Sequence, residues 1–330
     1  MSLSLLSSSR PQSRPHPRVL PERPLRAVLL GCGTVGGGVM AGISRQLAGD
    51  VTIEAILVSR HRKHRAPGRY FTEADCVLAT GPSLVIDCLP DSDLAEQLLD
   101  RALSSGADVV SANKAVIARR PDLADRAHER GSLLRYAAAV GGELPVLETV
   151  ARLRSERRDI LSVSGVLNGT SNFVLDRLAE GAGLDTAIHA AQALGFAEAD
   201  PSADLEGRDA EAKLRLISRA AFGRDPDTVH RDAIDETTPR CVRETAACGY
   251  RLRQVASLHR TGAGIEARIA LTPRAPGDPL GEARDEENAV RISCEGGDSV
   301  LLTGRGAGRE ATASAVLSDI SAILAERYGR

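Results

Sequence analysis

The sequence predicts an α/β protein whose first half is a parallel, helix-flanked sheet and whose second half is a mixed α+β unit. Three observations predict it. Short apolar runs alternate with amphipathic helical stretches from Leu25 to about Ala138, and a glycine-rich segment, GCGTVGGGV, lies between the first strand and the first helix. From Tyr250 the pattern changes to closely spaced runs of alternating apolar and polar residues, which suit antiparallel strands.

With 330 residues and 42% hydrophobic content, the chain can bury the cores of one large or two ordinary domains. Its 42 basic and 44 acidic residues give a formal charge of -2. That balance provides no overall field for nucleic acid or a membrane surface and points to a small-molecule partner. Six cysteines without CxxC or zinc spacing predict free thiols in a reduced, cytoplasmic protein. No apolar run reaches the roughly 18 residues a membrane span needs. Residues 1 to 24 are rich in Ser, Pro and Arg and hold no acid before Glu22, the composition of a disordered arm. The repeated prolines at Pro11, Pro15, Pro17, Pro21 and Pro24 oppose the amphipathic helix of a transit peptide.

The first ordered element is LRAVLL, a strand from Leu25 that runs straight into the glycine segment. Gly31, Gly33 and Gly36 match GxGxxG with a strand before and a helix after, and that helix extends to about Leu47. The first glycine permits the tight turn, the second lets a pyrophosphate approach the backbone, and the third packs helix on strand. Thr34 and Val35 lie in the same turn and are assigned to the cofactor with the glycines. A second strand at Val51 to Val58 ends in SRHRKHR, where an acid on the adenosine ribose would be usual for NAD. Arg60 and Lys63 there suit the 2′-phosphate of NADP; the plainer alternatives are NAD use with a solvated loop, or nucleic-acid contact, which the neutral remainder disfavours. Further strands at Leu84 to Cys88, Asp108 to Ser111 and Leu133 to Ala138 alternate with helices from Ser92 to Ser105 and from Ala115 past Pro121 to Glu129. The result is a Rossmann-like dinucleotide-binding domain over 25–139. Ligands belong at the carboxyl ends of its strands, and Ser111-Ala112-Asn113-Lys114 places Ser111 and Lys114 at one of them.

VGGELP, from Val140 to Pro145, reads as a hinge into a catalytic and dimerisation domain over 140–303. A strand from Asp159 leads into Asn168-Gly169-Thr170, whose Gly169 amide and Thr170 hydroxyl could face a carboxylate; ordinary helix capping is the plainer reading. The stretch GFAEADPSADLEGRDAEAK, 195–213, gathers Glu198, Asp204, Asp209 and Lys213. A helix from Asp204 to about Ala221 would put Asp209 and Lys213 on one face, one turn apart. Three carboxylates around one lysine can grip an ammonium and pass a proton; alternatively the pair is a solvated ion pair and Asp204 an N-cap. Strands at Tyr250 to Leu258, Ile265 to Leu271, Ala289 to Ser293 and Val300 to Thr303 follow. The turn GRGAG, containing Gly306, then opens a final helix from about Thr312 to Tyr328, so that 304–330 returns to the nucleotide-binding domain.

GCGTVGGGV, SANKAVIA, VGGELP, GVLNGTSNFVL, LGFAEADPSADLEGRDAEAKL and GRGAGREATASAVLSDI occur in this order, and through them the chain from Leu25 onward resembles homoserine dehydrogenase. The resemblance implies reversible hydride transfer between NAD(P)H and aspartate 4-semialdehyde in a homodimer. It implies Lys213 as proton donor and Lys114 beside nicotinamide and substrate. Glu198 and Asp209 would hold the substrate, with Asp204 and Thr170 in the same pocket. The family's monovalent cation is held by a glutamate side chain and backbone carbonyls; here Ala137 stands at the glutamate position and Glu143 replaces a small residue. The carbonyls of Val140, Gly142 and Leu144 are the remaining candidates. Arg305 stands where proline is common, and no C-terminal regulatory domain, hence no threonine feedback through one, is expected. A paralogue acting on another amino aldehyde and a non-catalytic NADP-binding sensor are the alternatives; retention of both lysines and three carboxylates disfavours the sensor.

Overall fold

A computed structural model describes residues 24–59, 69–306 and 308–328. Of the expected arm over 1–24, residues 1–23 lie outside them, as do the two NADP candidates Arg60 and Lys63. The first sheet has six parallel strands in the order β3-β2-β1-β4-β5-β6. These are β1 (Leu25–Leu30), β2 (Val51–Leu57), β3 (Tyr70–Phe71), β4 (Leu84–Asp87), β5 (Asp108–Ser111) and β6 (Leu134–Arg135). The order reverses between β1 and β4, so the carboxyl ends of these two strands open a crevice. Helices α1 (Thr34–Gln46), α2 (Ala74–Leu78), α3 (Asp93–Ser104), α4 (Lys114–Arg119) and α5 (Asp122–Glu129) connect the strands. The central strands are buried on both faces, which is why they appear in sequence as unbroken apolar runs rather than alternating ones. Ser92 starts α3 by accepting the Ala95 amide (3.2 Å), and Leu98, Leu99, Ala102 and Leu103 then bury its inner face.

Two expectations need correction here, and one strand was missed. The helix from Ala115 to Glu129 is two helices, because Pro121 has no amide to continue the ladder. The strand at Leu133 to Ala138 shortens to two residues before a 3₁₀ turn at Ala137–Ala139. The two-residue edge strand β3 carries too little pattern to be visible in the sequence.

The second sheet has the order β12-β11-β7-β9-β10-β8. Helix α6 (Val146–Ser155) leads into β7 (Ile160–Val166), then α7 (Gly169–Ala179), α8 (Leu184–Leu194), α9 (Ser202–Leu205), α10 (Arg208–Phe222) and β8 (Thr228–Arg231). After α11 (Thr238–Ala247) come β9 (Arg251–Thr261), β10 (Gly264–Arg274), α12 (Pro279–Glu282), β11 (Glu287–Cys294) and β12 (Ser299–Arg305). The pairings are antiparallel except for β8, which joins β10 in parallel. Exposed at three of its four residues, β8 has no apolar face to betray it in the sequence.

The last helix, α13 (Arg309–Tyr328), lies on α1, where Gly38 admits Ala313 and Gly42 admits Leu317. Arg327 pairs with Asp108 at the start of β5, and Arg135 pairs with Glu326 (2.6 Å). Asp319 accepts the Ala137 amide (2.8 Å), and burial pushes its carboxyl up to about 7, with Glu148 adding to the rise. Between about pH 4 and 7 this group holds a proton in the folded chain that the unfolded chain releases. It therefore weakens folding as pH rises through that window. No helix of the described residues is long and apolar enough to cross a membrane, and no disulfide joins the six cysteines.

Candidate active site

The site is built where the carboxyl ends of the first sheet meet α10. At Gly31, φ is +90° and a Cβ would press on the Cys88 carbonyl at 2.7 Å, so the turn requires glycine. A Cβ at Gly36 would collide with the Gly31 carbonyl oxygen, so this glycine sets how closely α1 packs against β1. Gly33 differs, because a Cβ there would meet nothing within 4 Å. Its open side, at the N-terminus of α1 beside the Thr34 and Val35 amides, fits the pyrophosphate of a dinucleotide. Replacing Gly33 with alanine is therefore expected to leave the melting temperature unchanged while weakening cofactor binding by about tenfold or more. Gly36→Ala should instead lower the melting temperature. Equal effects of the two on binding and melting, followed by fluorescence titration and calorimetry, would refute this division of roles.

Asp87, at the carboxyl end of β4, is fully buried and escaped the sequence reasoning because a lone acid ending an apolar run gives no signal. It accepts the Ser111 hydroxyl (2.8 Å) and the Leu89 amide (3.0 Å). Burial pushes its carboxyl up to about 6 against those two hydrogen bonds. Ser111 in turn accepts the Asn113 amide (3.1 Å), and Asn113 caps α4 through the Val116 amide. The start of α4, and with it Lys114, is thus fixed to the sheet by a short polar chain. At its far end α4 is held by Arg219 of α10, which donates to the carbonyls of Ile117 (2.7 Å) and Ala118 (2.5 Å).

This clamp brings the Lys114 ammonium onto the Asp209 carboxylate of α10. Lys213, one turn further along, meets the other oxygen of Asp209 at 2.9 Å and donates to the Leu167 carbonyl at 2.5 Å. The alternative of a solvated ion pair fails: the side chains of Asp209 and Lys213 are only 7% and 8% exposed. Burial raises the Asp209 pKa, but the two lysines outweigh it and hold the carboxyl well below the usual range. Lys114 is half-exposed; burial lowers its pKa, and the charges of Asp209, Asp204 and Glu198 together more than reverse this.

The expected continuous helix from Asp204 is broken. Gly207, at φ +72°, separates α9 from α10, and both N-caps, Pro201 and Gly207, lack a side-chain cap bond, so Asp204 is no N-cap. Asn168 joins the two carboxylates instead, donating to Asp204 (2.7 Å) and Asp209 (3.1 Å) while its oxygen caps α7 through the Ser171 amide (2.9 Å). Asn168 was visible in the sequence only as a turn residue, and both roles hold at once. Burial raises the Asp204 pKa, with Asn168 opposing and Asp209 adding to it. The Thr170 hydroxyl donates to the Phe196 carbonyl (2.5 Å), and the Phe196 ring stacks on Phe173 at 4.8 Å. That anchor, with Gln192 on the Glu198 carbonyl (3.2 Å), holds the loop carrying the exposed Glu198.

Lys114, Gly169, Thr170, Glu198, Asp204, Asp209 and Lys213 thus line one cleft of about 1210 Å³. Gly308 and Glu286, which flank the turn containing Gly306, close one side of it. Gly306 packs against the Asn288 amide, and Gly142, at φ +56°, packs against the same turn. The Glu143 amide donates to the Arg305 carbonyl (3.0 Å), tying hinge to turn. Of the three candidate carbonyls, that of Leu144 already accepts the Val146 amide (2.8 Å); the side chain of Glu143, between Gly142 and Leu144, is exposed. Val140 is buried beside them, and no cluster of three His, Cys, Asp or Glu suited to a metal occurs among the described residues.

Family models match two stretches of the chain. Residues 31–137 match the NAD binding domain of homoserine dehydrogenase, and residues 145–321 match homoserine dehydrogenase itself. Relatives of that description from Neisseria gonorrhoeae and Pseudomonas aeruginosa are 32% and 33% identical. The alignments cover 90% and 92% of this chain and 72% and 73% of theirs. Among solved structures, a homoserine dehydrogenase from Thiobacillus denitrificans superposes with a TM-score of 0.86 at 29% identity, over 93% of this chain and 76% of that one. A hyperthermophilic archaeal homoserine dehydrogenase in complex with NADPH gives 0.76 at 25% identity, over 92% and 98%.

Proposed function

The chain belongs to the homoserine dehydrogenase family, and from that premise we propose that it interconverts L-aspartate 4-semialdehyde and L-homoserine with NADP(H). The observation that carries the reading is the Lys114–Asp209–Lys213 cluster, in which a lysine leaving the dinucleotide-binding sheet meets a buried acid–lysine pair of the second domain. A bound NADPH would supply the hydride for the carbonyl carbon. Every other part of the reaction falls to the chain's own side chains and backbone amides. Glu198 and Asp204 offer negative charge to the substrate ammonium, and the amides at the start of α7, near Gly169 and Thr170, offer donors to its carboxylate.

As the carbonyl carbon is reduced, its oxygen gains charge and needs a proton. The Lys213 ammonium, fixed by Asp209 and the Leu167 carbonyl, gives one, so that the alcohol forms and the lysine is left as a neutral amine; solvent then returns the proton. In the reverse direction the amine takes the alcohol proton. Lys114 keeps a second positive charge at the cofactor side of the cleft, where it balances Asp209 and orients the substrate.

Preference for NADP rests on Arg60 and Lys63 in the sequence. Purified protein is expected to oxidise NADPH with aspartate 4-semialdehyde at a kcat/KM about tenfold or more above that with NADH. Turnover confined to another amino aldehyde would replace the substrate assignment, and a clear preference for NADH would remove the cofactor assignment.

A further inference from the structure

A second cleft, of about 720 Å³, opens beyond the C-terminal ends of α6 and α10, beside the β9–β10 turn. Five arginines line it, Arg154, Arg157, Arg158, Arg224 and Arg260, and Asp159 is the one acid among the lining residues. They come from α6 and the segment after it, the end of α10 and the end of β9, so no single helix accounts for their convergence. Two are neutralised by acids outside the lining. Arg158 pairs with Asp298 (2.8 Å), and Arg224 holds Asp227 through two bonds (2.9 and 3.0 Å). The other three have no carboxylate at hydrogen-bond distance among the described residues. Arg154 spends one nitrogen on the Ala220 carbonyl (2.7 Å), Arg157 has no ion pair among the described residues, and Arg260 reaches Asp159 only at 3.9 Å.

Arg157 adds a backbone argument. It terminates α6 at φ +58°, with its amide on the Arg154 carbonyl (3.0 Å) and the Arg158 amide on the Leu153 carbonyl (2.9 Å). Glycine is the residue such a helix end ordinarily takes, and arginine carries a steric cost there. Beneath the arginines lie Ile160, Ala221, Phe222 and Ile265; three of them are buried, and Phe222 is the one partly open apolar side chain among them, so the accessible lining is mostly polar. Guanidiniums without a carboxylate at hydrogen-bond distance match a multiply charged anion, to which the Phe222 ring can add one apolar contact.

We propose that this cleft binds a ligand carrying two or more adjacent phosphates, of nucleoside-polyphosphate size. The site is distinct from the Lys213 cleft. Lys213 and Phe222 are nine residues apart on α10, about 13 Å along the helix axis. The inference does not depend on the reaction assigned above.

The test is calorimetric titration of the full chain, already saturated with NADPH, with ATP and separately with inorganic tripolyphosphate. One salt-sensitive site per chain is expected. Arg157→Gly, which suits the local backbone, combined with Arg260→Gln should weaken binding by about 10–100-fold and leave dehydrogenase turnover unchanged. Tighter binding of ATP than of tripolyphosphate would assign a contribution to the Phe222 ring, and equal binding would place recognition on the phosphates alone. The proposal is overturned if neither compound binds, if saturating NADPH abolishes binding, or if the double variant binds both as the wild type does.

Discussion

Lys213→Met is expected to lower kcat by about 10²–10⁴-fold, the range of a lost general acid, while NADPH binds as before. Methionine keeps most of the aliphatic stem that α10 packs inward, so the change removes a proton and a charge rather than volume. Asp209 retains Lys114 as a partner, and its carboxylate is not stranded. The group that loses most is the Leu167 carbonyl, whose 2.5 Å donor disappears. That cost bears on stability and leaves the Gly31–Gly36 turn untouched. A loss confined to KM would mean that Lys213 only binds substrate. An unchanged kcat would remove it from the chemistry altogether. Lys114→Met provides the contrast: this half-exposed residue lies on the cofactor side, so its loss should raise KM and weaken cofactor binding alongside a reduced kcat.

The parallel sheet was legible because β1, β4 and β5 are buried on both faces, and burial on both faces writes an unbroken apolar run into the sequence. The glycines of the first turn were legible for a similar reason, since two of the three have no room for a Cβ. What sequence periodicity missed was the punctuation. The apolar pattern continues across Gly207, so α9 and α10 looked like one helix, and only the left-handed φ of Gly207 turns Asp204 back towards the face that carries Asp209. Without that break the two acids would point to different faces. With it, one asparagine can hold both, and Asn168 lies 36 and 41 residues upstream of them, beyond the reach of any local pattern. Asp87 and Asp319 were silent because a single buried acid has no periodicity; their environments become visible only when the carboxyl ends of the strands and α13 are assembled.

Asp209→Ala is expected to cost about 3–5 kcal/mol, the price of removing one partner from a buried ion pair, and to abolish turnover. The side chain deleted is small, so cavity formation contributes little; the cost comes from the charges left behind. Lys213 would remain 8% exposed with one carbonyl for company, and Lys114 and Asn168 would each lose an acceptor. The pH dependence distinguishes this from a packing defect. Because the lysines hold the Asp209 carboxyl below its ordinary range, its stabilising contribution is complete above the unfolded pKa near 4 and is lost as pH falls from there through the folded value. Urea unfolding of wild type and variant should therefore show a gap that is constant from about pH 6 to 7 and narrows below about pH 4. A gap that persists undiminished in acid would assign the loss to packing. The double variant with Lys213→Met closes the reasoning: if the stranded ammonium is the cause, removing it should recover part of the stability lost in Asp209→Ala. An additive double variant would show that the two side chains do not act as a pair.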